Sequence, residues 1–261
     1  MANARICYNF DTWQAATLTE SSEITGRASS NLLADAPGKS WVTTGDTSEW
    51  VVFDLGAATA ITCFYINQHN FTSAATVTLE ANTANSWGAP AYSQALTVAT
   101  DADSVVLPSI CFFLNETYRY WRLTVADAAN PDGRIEIGNI LGGAYYEFTR
   151  NWTNGGRIVW ADPTVKKGAP GAVELVKAYP AAQRYRQAVV SFTQVSDTER
   201  QKWEAIFRKV GNTAPLVLAL DPTDNPTTMS IFGYLMSEVG LAWQMVDYFD
   251  VATLTFEEKT R

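Results

Sequence analysis

Two periodicities divide the chain. Up to about residue 143, apolar and polar positions alternate in short runs, the pattern of strands with at least one covered face. Thr76-Val77-Thr78-Leu79-Glu80-Ala81 alternates cleanly. The stretch Trp50 to Leu55 sets Trp50 and Val52 against Val51, Phe53 and Leu55, as a strand covered on both faces does. Further runs at Ala60 to Asn67, Ser104 to Leu107, Ile110 to Leu114 and Tyr120 to Val125 are separated by polar turns, and this spacing predicts an all-β sandwich. The clearest 3.6-residue period comes later. Trp203, Ile206, Phe207 and Val210 share one helical face, Ser196-Asp197-Thr198-Glu199 makes a capping box ahead of them, and Gly211 supplies a stop. An amphipathic helix is expected over 197–210, lying on a sheet.

The change of pattern falls in Arg134 to Phe148. Ile135, Ile137 and Asn139-Ile140-Leu141 read as a last sandwich strand, while Gly138, Gly142 and Gly143 allow bends or close backbone approach. Two domains follow from this, 1–143 and 144–261, with a stiff junction. In the second, Tyr145 to Trp160 reads as a hairpin with its turn at Thr153-Asn154-Gly155-Gly156. Residues 162–182 lose periodicity and carry three prolines, which predicts an extended arm that a neighbouring subunit holds or that stays a mobile surface loop. Lys166, Lys167, Val173 and Tyr179 are its candidate interface residues. Strands are expected at Tyr185 to Val195, Leu216 to Leu220, Ser230 to Met236 and Met245 to Glu257. The fold class is therefore mainly β: a sandwich, then a β-rich domain with one helix.

Composition narrows the function. At 261 residues, 47% hydrophobic and 12% aromatic, the chain has material for two cores. A formal charge of −8 argues against a sequence-independent hold on nucleic acid, and no apolar run approaches the roughly 20 residues of a membrane helix. No secretory leader is expected from Met1-Ala2-Asn3-Ala4-Arg5. Cys7, Cys63 and Cys111 sit far apart in apolar runs and read as buried free thiols, which fits folding in a reducing compartment. His69 is the one histidine, too few for the usual zinc site; a loop histidine bonded to backbone is the favoured reading, a glycan contact the lesser one. Trp87 and Tyr92 either stack on sugar or cap the sandwich.

The order Trp50 to Gly56 (W-V-V-F-D-L-G), the loop with His69 and Asn70, the strand Thr76 to Ala81, then Arg119 to Val125 (R-Y-W-R-L-T-V) and Ile135 to Ile140 (I-E-I-G-N-I) resembles a discoidin-like, galactose-binding-type jelly roll, over roughly residues 20 to 143. The resemblance implies possible glycan contacts at His69, Asn70, Trp87 and Tyr92. It also implies a structural calcium near the loop Asp127 to Gly133, with Asp127, Asn130 and Asp132 as ligands, although the same residues form a strong turn and the EF-hand spacing is absent. No other cofactor is expected.

The second half, with Gly143 to Phe148, Ser196 to Gly211, Leu218 to Pro222 and Ile231 to Gly233 in that order, is similar to the tail-tube-like domain of bacteriophage distal tail and baseplate proteins. That resemblance implies a virion component assembled in the host cytoplasm: a ring of six copies with the sandwich outside, contacting tail tube and tip or hub proteins. Catalysis is not expected. No nucleophile lies in a Gly-x-Ser-x-Gly setting and no nucleotide loop is present. The reading is a structural tail-tip component; the alternative is a glycan-binding module for host-surface attachment on a tail mount, with neither nucleic acid nor membrane as partner.

Overall fold

The computed structural model describes residues 2–34, 38–153, 155–162, 165–167, 175–177, 184–245 and 247–259. It is mainly β, with two antiparallel sheets and one long helix, and divides into two compact units: residues 1–146 with 220–230, and residues 147–219 with 231–261. The segment 220–230, which contains the turn composition of Asp221 to Pro226, thus groups with the first unit. Among the described residues no helix is long and apolar enough to cross a membrane.

In the first unit, β1 (Arg5–Cys7), α1 (Asp11–Gln14), β2 (Thr17–Glu20) and a 3-10 turn (Ser29–Leu33) precede β3 (Trp41–Val42), β4 (Glu49–His69), β5 (Thr76–Asn82), β6 (Tyr92–Leu96), β7 (Ser109–Ala126), β8 (Glu136–Gly143) and β9 (Tyr145–Glu147). The main sheet runs β3-β8-β4-β7-β5-β6, with β2 also on β4. Where the sequence pattern shows separate runs, β4 and β7 are each one long bent strand. Gly56 at φ +75° and register shifts between Asp54 and Thr59 turn β4 without ending it. Ser104 to Leu107, expected as a strand, contributes only an isolated bridge, Thr100 to Val106.

The core gathers Trp13, Trp41, Val51, Phe53, Phe64, Val77, Leu79, Trp121, Leu123, Ile137 and Ile140. Trp13 is its centre, 4.5 Å from Phe53 and 5.7 Å from Phe64 between ring centroids. It can lie there because β8 offers glycine: a Cβ on Gly142 would stand 2.2 Å from the indole, and one on Gly143 2.6 Å from the Asn9 carbonyl oxygen. Away from this cluster the three cysteines are buried and free, and Cys63 lies within hydrogen-bond reach of both Cys7 and Cys111. Burial, then the bond with Cys63, pushes the Cys111 thiol well above its ordinary range, so it stays protonated and inert.

In the second unit β10 (Arg157–Ala161), β11 (Val165–Lys167), β12 (Leu175–Lys177) and β13 (Tyr185–Ser196) lead into α2 (Asp197–Val210), followed by β14 (Leu216–Ala219), β15 (Ser230–Leu235), β16 (Leu241–Met245) and β17 (Tyr248–Glu258). The sheet order is β10-β13-β17-β15-β14, with β16 on β17. The expected hairpin from Tyr145 to Trp160 does not form. β10 pairs with β13, and Thr153 is tied by backbone and hydroxyl to Ser191. The reason is Phe148, which leaves the strand to stack on Trp203 at 4.8 Å and pack on Phe192 at 4.8 Å. α2 follows its sequence signals. The Ser196 hydroxyl accepts the Glu199 N–H at 3.3 Å, Gly211 ends the helix at φ +49°, and the buried Glu199 carboxylate accepts the Thr149 N–H at 2.7 Å.

Trp203 is the largest fully buried side chain on α2 and touches both aromatic partners. Trp203→Ala should cost about 3–5 kcal/mol by denaturant titration; a loss under 1 kcal/mol would show that the aromatic stack does not hold this unit together.

Candidate functional site

Two ends of the sandwich carry the polar and aromatic residues that the sequence singles out, and they are far apart. β5 begins at Thr76, opposite Ala126, and finishes at Asn82, opposite Tyr120; six residues of strand separate the two ends by roughly 20 Å. His69, Asn70, Asp127, Asn130 and Asp132 belong to the first end, Trp87 and Tyr92 to the second. The four expected glycan residues therefore do not form one site.

At the far end, the Trp87 ring lies over the Arg122 guanidinium at 4.6 Å and its Nε1–H donates to Asn85 at 2.8 Å, while Arg122 is paired with Glu80 at 2.7 Å. Tyr92 packs on the buried Trp121 at 6.3 Å. Both aromatics are half-buried.

At the near end, His69 closes β4 after Gln68, which takes φ +59° opposite Gly138, where a Cβ would meet the Asn67 carbonyl oxygen at 2.9 Å. The imidazole stacks on Phe71 at 4.2 Å and its Nδ1 accepts the Phe71 N–H at 3.2 Å, the local backbone bond expected of a loop histidine. Nε2 therefore carries the proton of the neutral ring, and it is buried with no hydrogen-bond partner among the described residues. Burial lowers the His69 pKa to about 4, against an opposing pull from Asp127.

Asp127 is buried and accepts the Thr72 N–H at 2.8 Å, the Thr72 hydroxyl at 2.5 Å and the Asn130 amide at 3.2 Å. Asn130 donates also to the Asn70 carbonyl at 3.0 Å, and its Oδ1 accepts the Asp132 N–H at 3.0 Å. Turn bonds from Asn130 N–H to Asp127 and from Gly133 N–H to Asn130 complete the loop. Donors thus occupy both Asp127 oxygens, and the Asn130 amide nitrogen is one of them. Among the described residues no group of three or more His, Cys, Asp or Glu is placed to hold a metal ion. The bonds of the loop are those of a turn over Asp127 to Gly133.

Asn70 joins this loop to β8. Its amide donates to Asp132 at 3.1 Å and to the Arg134 carbonyl at 3.0 Å, and its Oδ1 accepts the Glu136 N–H at 2.8 Å. Beside it, Ser40 accepts from Arg27 at 2.6 Å and donates to Glu136 at 2.8 Å. The result is a fan of Arg27, Ser40, Glu136, Asn70 and Asp132, with the exposed Arg134 at its rim. Sequence reading found Asn70 and Asp132 but not the others. Arg134 and Glu136 stand inside a strand pattern that draws the eye to its isoleucines, and Arg27 and Ser40 are distant in sequence.

Of the expected interface residues, Lys166 and Lys167 lie in β11, whose backbone pairs antiparallel with β12. Residues 165–167 and 175–177 of the expected arm thus pair as a short ribbon, a pairing without a periodic signal in the chain. Val173 and Tyr179 lie outside the described residues.

No family model matches the chain, and no curated protein does. Solved structures do. Chitosan-binding module 1 from a chitosanase/glucanase of Paenibacillus sp. IK-5 is 18% identical, with a TM-score of 0.39 over 51% of this chain and 98% of its own. The fucose binding module SpX-3 of Streptococcus pneumoniae is 10% identical, with a TM-score of 0.41 over 52% of this chain and 98% of its own. CpGH89CBM32-5 of Clostridium perfringens, solved with GalNAc-β-1,3-galactose, is 13% identical, with a TM-score of 0.39 over 51% of this chain and 99% of its own. The similarity thus spans about half of this chain and nearly all of each module.

The neutral, buried His69 makes stability pH-dependent. Its folded pKa of about 4 lies below the ordinary 6.5, so the unfolded chain takes up the proton first as pH falls. The contribution is full above pH 6.5 and is lost progressively towards pH 4, by about 3 kcal/mol in all. Denaturant titrations of wild type and His69→Gln should differ by that changing amount between pH 7 and 4; parallel curves would show that the ring titrates normally. Millimolar calcium or a chelator should leave the melting temperature unchanged, whereas a rise of several degrees with calcium would restore the cation reading.

Proposed function

We propose that the first unit is a carbohydrate-binding module and that the second is its mount. The observation that carries this is the polar fan at the near end. Asn70 spends its own amide on holding Asp132 and Arg134 in place, so side chains of the kind that recognise sugar hydroxyls are presented on a loop already ordered before any ligand arrives. Asp132 and Arg134, two positions apart in the chain, are exposed and bring an acceptor and a donor fork to the same loop. The reading is one of binding, without a catalytic step. Its ligand is a neutral or acidic glycan, in keeping with a guanidinium at the rim.

A second reading, a structural part of a phage-like tail tip, is supported by the second unit. Among the described residues β10 pairs only with β13 and β16 only with β17, and each edge bears an exposed tryptophan, Trp160 at 71% and Trp243 at 76%. The two readings are compatible, since a mount that assembles presents its modules in many copies. Contacts with tail tube or hub proteins, residence in the virion and a six-fold ring rest on the sequence resemblance, and electron microscopy of purified particles with this chain located in the map tests them.

A glycan array probed with the full chain should retain one sugar class, and Arg134→Ala and Asp132→Ala should each weaken binding at least tenfold with melting unchanged. Trp87→Ala, at the other end, should leave affinity as it is. Failure to bind any glycan, or loss of binding through Trp87 alone, would overturn this site.

A further inference from the structure

We infer that Cys7 and Cys63 form a redox modification site: a small-molecule disulfide present while the chain folds joins them, and Cys111 is left out. The inference goes beyond the binding and assembly readings and does not depend on them.

The three thiols, the only cysteines of the chain, meet on one face of the sandwich sheet. Cys7 ends β1, Cys63 lies in β4 and Cys111 in β7, all of them buried. Cys63 shares a face with Tyr65, which stands opposite Cys111, whereas Phe64, Ile66 and Ile110 alternate with them and enter the aromatic core. The Cys63 sulfur is the common neighbour, within hydrogen-bond reach of both others.

Strand register decides which pair can be joined. Cys63 stands opposite Phe113 and Cys111 opposite Tyr65, so these two are diagonal neighbours on adjacent strands. Ladder geometry holds diagonal neighbours roughly 7–8 Å apart, at or beyond the limit of about 7 Å between Cα atoms that a disulfide spans. Cys7 is under no such constraint, because β1 is not a ladder neighbour of β4. Its Sγ lies 3.1 Å from where a Cβ on Gly143 would stand, and Gly143 is the direct partner of Cys63. The glycine thus leaves the space beside Cys63 to the Cys7 sulfur, whose approach is set by its own rotamer. Cys111 has other partners: its thiol bonds to Ser230, and its N–H donates to the Thr227 hydroxyl at 3.2 Å.

The oxidant is a small disulfide such as oxidised glutathione. One cysteine, as its thiolate, displaces a glutathione thiolate and forms a mixed disulfide; the other then attacks the protein sulfur of that bond and releases the second glutathione. Two protein thiols are oxidised, one glutathione disulfide is reduced to two thiols, and these take up the two protons. A tripeptide cannot enter the packed face, so the exchange belongs to the folding chain. Burial afterwards protects either form. The Cys111 contact pulls the Cys63 thiol down, but its bond to Cys7 and its burial raise it further, well above its ordinary range, so the reduced pair stays protonated and unreactive. The joined pair is equally out of reach of reductant. The redox state met at folding is therefore retained, and in the joined form it ties β1, with the segment that carries Trp13, to the sandwich sheet.

The test refolds the full chain from denaturant in a buffer of reduced and oxidised glutathione, alkylates it under denaturing conditions and measures its mass. A single alkylated cysteine is expected, mapped to Cys111, together with a peptide linked through Cys7 and Cys63. The melting temperature should stand about 5 °C or more above that of chain refolded in reductant. Cys111→Ser should keep the link and Cys63→Ser should abolish it. Chain already folded in reductant and then placed in the same buffer should keep all three thiols alkylatable. A link between Cys63 and Cys111, glutathione adducts in place of a link, or three free thiols after refolding would overturn the inference, and peptide mapping of the wild type reads each of these even where a serine variant fails to fold. Oxidation of the folded chain as fast as during refolding would overturn the retention of the state met at folding.

Discussion

The close approach of Trp13 to β8 is the contact on which the first unit depends. An indole laid flat on a strand leaves no room for a side chain beneath it, and Gly142 meets that demand where alanine would collide. The next glycine lets the Asn9 backbone cross at similar range. With the N-terminal segment seated in this way, Trp13 reaches Phe53, Phe64 and Trp121 and becomes the centre of the aromatic core. Removal of that space would move the N-terminal segment and the centre of the core together.

In the second unit the equivalent role falls to Phe148. By turning out of the strand to stack on Trp203, it redirects the chain and leaves β10 to find β13 as partner. The gain in buried aromatic surface outweighs the local preference for an Asn-Gly hairpin, a few tertiary contacts overriding a short-range signal. Among the described residues β10 pairs only with β13.

A buried carboxylate explains how the loops at the near end are held. Asp127 is taken out of water and supplied with backbone and amide donors. For Asp127 this fixes Thr72 and Asn130, through which Asn70 and the polar fan acquire their positions. A group that must be satisfied internally has organised a surface that faces solvent.

The periodic elements were legible in the chain itself. Alternation marked β5 and the β4 core positions, and the Ser196 cap, the aromatic stripe and Gly211 marked α2, because these signals arise between residues a few positions apart. The glycines of β8 were visible as places of close approach, but not what would approach them. Only tertiary structure decided that Trp87 and His69 stand at opposite ends, that Arg27 and Ser40 meet Glu136, and that residues 220–230 group with the first unit. These depend on contacts between residues tens of positions apart, whose pairing is set by strand register and by what each buried polar group must reach. Neither leaves a local mark in the sequence.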